Sequence, residues 1–203
     1  GKAKEAQAAF NQVYFDLPGE LAPKLALALA AEQGQNYSLA IKMYELVCRT
    51  DPSYVSAAFG LARCLCKIGN RSGAVVALKR VPQASNLYTR SQVEIARTLI
   101  DRAHSVPSTE ELKSASAAIE ALTLEGTELY QLTKQILETA LNLLTSQQLQ
   151  ATSNLKICGQ PLEEVYVRQG LEKALRSLAH LTTGNEKISL IDQANQVRSR
   201  TLV

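Results

Sequence analysis

The feature that most restricts how this 203-residue chain can fold is a pattern of small and apolar residues that repeats every 34 positions. Three columns of small or apolar residues keep that spacing between successive members (40−6 and 74−40). The columns consist of Ala6, Ala40 and Ala74; of Phe10, Tyr44 and Leu78; and of Val13, Val47 and Val81. A chain with such a period builds its core by stacking similar units, each of which covers the apolar face of its neighbour.

The second half of each period has the pattern of a helix that follows a turn. A turn over residues 34–36 precedes the column residues Ala40, Tyr44 and Val47. These three residues lie at i, i+4 and i+7, so they share one helical face. Pro52 ends this helix, because proline lacks the backbone N–H and restricts the residue before it.

Two further columns mark the helix that precedes each turn. They consist of Leu27, Leu61 and Ile95, and of Ala28, Ala62 and Ala96, again 34 positions apart (61−27 and 95−61). A helix–turn–helix unit of this length is the tetratricopeptide repeat. The sequence therefore predicts an all-α fold, a tetratricopeptide repeat helical-hairpin solenoid with a C-terminal capping helical region.

The spacing of apolar residues predicts about ten helices and no strand. We expect helices over 2–15, 21–33, 37–49, 53–68, 72–80, 86–102, 127–145, 161–181 and 186–198, and one that starts at Ser108 or Thr109 and runs to about 122. The polar segment 146–159, rich in Gln and Ser, is expected to be irregular. The first helix matches only the second helix of a repeat, so we expect the chain to be part of a longer protein.

The repeats are assigned to residues 1–125, and residues 126–203 are expected to form a helical capping extension of the same domain. After the third unit the spacing slips. Ala115 fits the column of Ala74 better than Ser108 does at the expected position (74+34), which indicates about seven inserted residues (115−108). The long helices after residue 126 lack the repeat columns, and a stack of repeats needs an end that shields its last apolar face from water.

Composition excludes several classes of function. A formal net charge of +3 with no Lys/Arg run does not favour nucleic-acid binding, and no apolar stretch reaches the roughly 18–20 residues of a membrane span. The cysteines are Cys48, Cys64, Cys66 and Cys158. On one helix, the side chains of Cys64 and Cys66 would point to different faces, which is unfavourable for a shared metal or a disulfide. We therefore expect reduced structural thiols and a cytoplasmic protein.

The sequence contains no catalytic motif. It lacks the phosphate-binding glycine loop, the nucleophile-elbow serine, the zinc-binding histidine pair and the protein-kinase motifs. His104 and His180 have no carboxylate or cysteine at ligand spacing, so we interpret them as solvated or structural histidines. We expect no enzyme activity, cofactor or metal in this chain.

Several segments carry a resemblance to a known family. They are Asp16–Glu32 (DLPGELAPKLALALAAE), Ser56–Cys64 (SAAFGLARC), Lys79–Gln92 (KRVPQASNLYTRSQ), Ile119–Gly126 (IEALTLEG), Gly170–Ala179 (GLEKALRSLA) and Leu190–Thr201 (LIDQANQVRSRT). Together they resemble the C-terminal tetratricopeptide domain of mycobacterial-type protein kinase G. The segments follow that family's order and span nearly the whole chain.

This resemblance implies a regulatory and assembly domain attached to a serine/threonine kinase. It implies that the domain packs against its own kinase domain, supports a homodimer and helps to present substrate, which in the family is a protein with a forkhead-associated domain. ATP and magnesium would belong to the kinase domain, which is absent from this chain. The alternative is a free-standing tetratricopeptide scaffold that binds an acidic peptide of an unrelated partner.

Inward-facing positions of the first helix of each repeat predict a binding groove. The predicted groove residues are Leu25, Leu29, Phe59, Arg63, Lys67, Arg90, Val93 and Arg97, and further inward positions include Glu32, Gln33 and Cys66. The four basic residues favour an acidic or mixed peptide, because guanidinium groups pair with carboxylates. The competing interpretation is that these charges only solvate the face or contact the missing kinase.

Overall fold

The computed structural model describes residues 2–122 and 125–198. Within these residues the chain forms ten α-helices and one two-stranded β-hairpin. The elements are α1 (Ala3–Asp16), α2 (Leu21–Gln33), α3 (Tyr37–Thr50), α4 (Val55–Lys67), α5 (Arg71–Leu78), α6 (Tyr88–Ile100), α7 (Thr109–Glu120), α8 (Gly126–Thr145), β1 (Thr152–Ile157), β2 (Gln160–Leu162), α9 (Glu164–Leu181) and α10 (Gly184–Val197). The chain divides into two compact units, over residues 1–98 and 99–203.

In the first unit, α1 to α5 pack in chain order, each helix against the next, and α2 also touches α4. The repeat columns supply the core of this stack. The buried column residues of this unit are Leu27, Ala28, Ala40, Tyr44, Val47, Leu61, Ala62, Ala74, Leu78, Val81, Ile95 and Ala96. The same spacing that predicts the helices therefore also selects the side chains that are removed from water.

The first helix differs from this pattern. Phe10 and Val13 occupy the columns of Tyr44 and Val47, yet each is 38% exposed, and Ala6 is only partly buried. The cause is the number of packing partners: α3 packs against both α2 and α4, whereas α1 packs chiefly against α2. These column residues of α1 therefore lie at an open face of the unit.

The turn between the two helices of each repeat is built in the same way twice. Gln35 and Gly69, at equivalent positions of consecutive repeats, both have left-handed backbones, with φ of 59° and 78°. Each is followed by an asparagine, Asn36 or Asn70, whose side chain accepts a hydrogen bond from a backbone N–H in the first turn of the next helix. The left-handed residue ends one helix and the asparagine caps the next, which fixes the angle of the hairpin.

Helices α3 and α4 approach each other closely at Gly60. A Cβ placed on Gly60 would lie 2.3 to 2.7 Å from ring atoms of Tyr44. Only glycine allows the fully buried Tyr44 ring to lie against the backbone of α4. Large and small residues therefore alternate across this interface.

A buried lysine in the first turn of α2 holds the loop that connects α1 to α2. Lys24 is 6% exposed, and its Nζ donates hydrogen bonds to the backbone carbonyls of Pro18 and Glu20. The same ammonium lies 5.5 Å from the centre of the Tyr14 ring. These contacts compensate for its removal from water.

The second unit packs α8 against α9 and α9 against α10, with α7 beside α8. The helix start expected at Ser108 or Thr109 is a capping box at Ser108. The Glu111 backbone N–H donates to Ser108 Oγ at 3.2 Å, and the Ser108 N–H donates to Glu111 Oε2 at 2.7 Å. Leu112, Ala115 and Ile119 form the buried face of α7.

The expectation of no strand is wrong. Within the segment 146–159, for which the sequence predicts irregular structure, Thr152–Ile157 pairs antiparallel with Gln160–Leu162, with Ile157 opposite Gln160 and Lys156 opposite Pro161. Cys158 and Gly159 form the turn, and both have positive φ, of 49° and 74°. Because Pro161 lies in β2, α9 begins at Glu164 and not at the proline.

The hairpin is positioned by its contacts with two helices. The Cys158 N–H donates to Ser116 Oγ of α7 at 2.7 Å, and Ser116 Oγ donates to Glu120 Oε1 at 2.6 Å. On the other side, Gly170 of α9 leaves room for the Gln160 side chain, which an added Cβ would approach to 2.5 Å. The hairpin is therefore part of the packed unit.

Two boundaries differ from the sequence expectation. The compact units divide between Thr98 and Leu99, not at 125/126, and α7 belongs to the second unit because it packs against α8 and β1.

The N-caps Asn36, Asn70 and Ser108 are separated by 34 and then 38 positions (70−36 and 108−70), so the insertion is four residues (38−34) and not seven. Residues 123–124 and 199–201, which belong to two of the family-like segments, lie outside the described residues.

Candidate functional site

A cavity of about 580 Å³ opens in the first unit beside α2, α4 and α6. Its floor is apolar and its walls carry charge. The lining residues are Glu32, Gln33, Tyr37, Phe59, Ala62, Arg63, Cys66, Lys67, Leu78, Arg90, Glu94 and Thr98. An apolar floor with a few convergent charged groups is the usual composition of a binding site.

An ion pair joins the first helices of two consecutive repeats at the wall of this cavity. Arg63 donates from Nε to Glu32 Oε1 at 2.7 Å and from Nη2 to Glu32 Oε2 at 2.9 Å. The Tyr44 hydroxyl donates to Glu32 Oε2 at 2.6 Å. The Glu32 carboxylate therefore holds α2, α3 and α4 together through both of its oxygens.

These contacts determine the protonation of the group. Burial raises the pKa of Glu32, but hydrogen bonds from Arg63 and Tyr44, with the charge of Arg63, outweigh burial and hold the pKa below its usual range. Burial and the neighbouring Glu32 carboxylate raise the pKa of Tyr44. Glu32 is therefore an anion and Tyr44 a neutral donor near neutral pH.

The other basic groups of the predicted groove have different partners. Arg97 is paired with Glu94 of its own helix at 3.1 Å. Arg90 lies over the Phe59 ring, with its guanidinium carbon 5.6 Å from the ring centre. Among the described residues, neither Arg90 nor Lys67 takes part in an ion pair. These two side chains are therefore the cations of the cavity that keep their charge uncompensated.

The structure gathers only part of the predicted groove into this cavity. Phe59, Arg63 and Lys67 of α4 and Arg90 of α6 line it together. The remaining predicted residues, Leu25, Leu29, Val93 and Arg97, do not line it.

Each of those four residues has a distinct position. Leu25 lies in a separate hollow with Ser53, and Leu29 is 44% exposed. Val93 is 2% exposed and belongs to the core. Arg97 is partly exposed and paired with Glu94.

Tyr37, Glu94 and Thr98 also line the cavity and were not predicted as groove residues. Counting four residues at a time from Arg90 would have reached Glu94 and then Thr98, because these positions share a helical face. Tyr37 begins the second helix of a repeat, so no count along the first helices could have found it.

The cysteines do not form a site of their own. Within the described ranges no disulfide joins them, and no group of three or more His, Cys, Asp or Glu residues could hold a metal ion. Burial raises the pKa of Cys64 to about 11 and that of Cys158 to about 12. In the same residues, no helix is both long and apolar enough to cross a membrane.

Comparison with known proteins identifies the family. Residues 1–201 match the family described as "Protein kinase G tetratricopeptide repeat". The chain is 38% identical over 191 residues to the serine/threonine-protein kinase PknG of Mycolicibacterium smegmatis and 37% identical over 191 residues to that of Mycobacterium leprae. Each match covers 93% of this chain but only 25% and 24% of the relative, so the chain spans about a quarter of the relatives' length.

The fold also resembles a solved structure outside these kinases. The crystal structure of MamA aligns with a TM-score of 0.50 and 14% sequence identity, over 97% of this chain and 89% of MamA. That likeness concerns the helical fold alone. The match over residues 1–201, together with the identity to the two mycobacterial kinases, shows that this chain belongs to the protein kinase G tetratricopeptide repeat family.

Proposed function

We propose that this chain is a non-catalytic interaction domain of a serine/threonine protein kinase. In this proposal it packs against its own kinase domain, contributes to a homodimer and presents a protein substrate. The observation that carries the proposal is the match of residues 1–201 to the tetratricopeptide repeat of protein kinase G, in relatives that are serine/threonine kinases about four times as long.

The physical character of the described residues supports an interaction role. Stacked helical hairpins present extended surfaces, and such repeats are used to bind other polypeptides. The uncompensated charges of Lys67 and Arg90 beside the half-buried Phe59 offer a place for an acidic segment. We place substrate presentation at this cavity.

The remaining parts of the proposal follow from the family. The substrate would be a protein with a forkhead-associated domain, and ATP and magnesium would be bound by the kinase domain. Cys48 and Cys64, both buried and not joined by a disulfide, support a location in the reducing cytoplasm.

Steady-state kinetics can separate presentation from catalysis. The full-length protein would be compared with a version that lacks this chain, using a forkhead-associated protein and a short peptide that contains only its phosphorylated site. We expect loss of the chain to raise KM for the protein substrate about tenfold or more, with kcat nearly unchanged, because it removes binding that is equal in the ground and transition states.

The short peptide is the matched control in that experiment, since it is too small to reach a separate docking surface. Its KM and kcat should change less than about twofold. Equal kinetics of both protein versions towards the protein substrate would contradict substrate presentation.

A further inference from the structure

Five charged side chains line the cavity of the first unit, and their charges do not cancel. Glu32 and Glu94 are acidic, whereas Arg63, Lys67 and Arg90 are basic. All five lie on the first helices of consecutive repeats. The distribution of partners among them indicates which groups are available to a ligand.

Arg63 is occupied within the protein. Its guanidinium makes two hydrogen bonds to Glu32, whose side chain is only 14% exposed and whose second oxygen also accepts from Tyr44. A ligand that took Arg63 would leave a largely buried carboxylate without its cation, which is costly. Arg63 therefore serves the interface between repeats, although its spacing predicts a groove residue.

Lys67 and Arg90 are in the opposite situation. Lys67 is exposed at the end of α4, and Arg90 lies over Phe59 at 5.6 Å. No carboxylate of the described chain lies within ion-pair distance of either. A carboxylate that enters the cavity would meet two cations and the apolar surface of a ring.

Glu94 acts against such a ligand. It lines the same cavity and lies one helical turn after Arg90. Its ion pair with Arg97 is exposed and joins neighbours on one helix, the kind of pair that contributes little energy. Because this pair is weak, the negative charge of Glu94 still lowers the affinity of the cavity for an acidic group.

We infer that Lys67 and Arg90 hold the carboxylate of an acidic protein segment whose neighbouring apolar side chain packs on Phe59, and that Glu94 limits the affinity. This inference rests on the proposed function and specifies the partner chemistry of its cavity. It also assigns Arg63 and Arg97 to contacts within the protein.

Fluorescence anisotropy tests the inference on the whole chain. The probe is a short labelled peptide in which Glu alternates with Leu, and the same peptide with Gln in place of Glu is its neutral counterpart. We expect Lys67→Gln and Arg90→Gln each to weaken binding of the Glu peptide about tenfold, the usual effect of one charge-assisted contact. Arg49→Gln is the control, because Arg49 is exposed on α3 outside the cavity.

Two more variants decide between the basic residues. Glu94→Gln should strengthen binding several-fold, because it removes a negative charge from the cavity. The double variant Glu32→Gln with Arg63→Gln removes an ion pair without changing net charge and should bind within about twofold of the original chain. Circular dichroism and urea unfolding would confirm that each variant is folded.

Four results would overturn the inference. They are a folded double variant that loses as much affinity as Arg90→Gln, a Glu94→Gln variant that binds no tighter, equal binding of the Glu and Gln peptides, and no binding of the Glu peptide. The kinase takes no part in this assay. If the chain binds the peptide but neither dimerises nor binds the kinase region, only the proposed kinase role is refuted. If the chain dimerises or binds the kinase region but does not bind the peptide, only this inference is refuted.

Discussion

At the scale of single residues, Tyr44 connects the repeat pattern to the charged wall of the cavity. Its ring belongs to a column of the repeat, so its burial could be predicted from the sequence. The hydrogen-bond partner of its hydroxyl could not be predicted, because Glu32 lies on another helix, 12 residues earlier. Periodicity identifies which face of a helix is buried but not which polar atoms meet there.

Removing that hydroxyl should destabilise the first unit. We expect Tyr44→Phe to lower the free energy of unfolding by about 1–2 kcal/mol, since it deletes a charge-assisted hydrogen bond in a partly buried place. Urea unfolding measures the change. Tyr166→Phe is the control, because Tyr166 is 42% exposed and should give a change below about 0.5 kcal/mol. Equal stability of the two variants would refute the bridging role.

The ionisation of Glu32 should add a pH-dependent part to stability. Its pKa is lower in the folded chain than in the unfolded chain, so its contribution is complete above the unfolded pKa and is lost as pH falls through the folded pKa. We expect the stability advantage of the original chain over Glu32→Gln to be constant near neutral pH. The advantage should shrink as the pH falls below about 4.3, the ordinary pKa of a glutamate side chain.

Unfolding of both proteins across a pH series gives this difference directly. Subtracting one from the other removes the contributions of the other carboxylates, which the two chains share. An advantage that grew on acidification would mean that the folded pKa is raised, and would contradict the ion pair as described.

At the scale of helices, the sequence predicts positions well and boundaries less well. The span Leu21–Gln33 is observed as expected, and the other nine helices differ from their predicted bounds by one to three residues at one or both ends. The hairpin was missed because β2 has only three residues and β1 exposes Ser153, Asn154 and Lys156. Its Cys-Gly turn also lacks the Asn-Gly or Asp-Gly pair that marks most tight hairpins.

The close approach of α3 and α4 makes Gly60 sensitive to substitution. We expect Gly60→Ala to destabilise the chain by about 1–3 kcal/mol, because the added methyl overlaps the Tyr44 ring in a packed core. The matched control is Gly19→Ala, whose Cβ would have nothing within 4 Å. A thermal unfolding scan compares the two variants. If Gly60→Ala were as stable as the control, the helices could separate more easily than the packing implies.

The repeated turn allows a stabilising change. Gln35 holds a left-handed backbone that its counterpart, Gly69, adopts without steric cost. We expect Gln35→Gly to raise the free energy of unfolding by about 0.5 kcal/mol, after allowance for the greater freedom of glycine in the unfolded chain. Lys42→Gly, within α3, should instead lower it by about 1 kcal/mol. Urea midpoints that move in the same direction for both variants would contradict the turn geometry.

At the scale of the whole molecule, the repeat period accounts for the first unit more fully than for the second. Predicted groove residues on α4 and α6 meet in one cavity, whereas Val93 is buried and Arg63 is held by Glu32. These differences arise because the spacing specifies direction around a helix axis, while depth and ion pairing depend on neighbouring helices. Beyond α7 the second unit has no repeat columns, so its hairpin and its boundary became visible only in the structure.

The most direct test of the kinase-attached role is light scattering of this chain over a range of concentrations. It would be measured alone and mixed with the separately produced kinase region that we propose belongs to the same protein. We predict the mass of a dimer for the chain, or a stable complex with the kinase region. A monomer at every concentration, with no complex in the mixture, would contradict the assembly role.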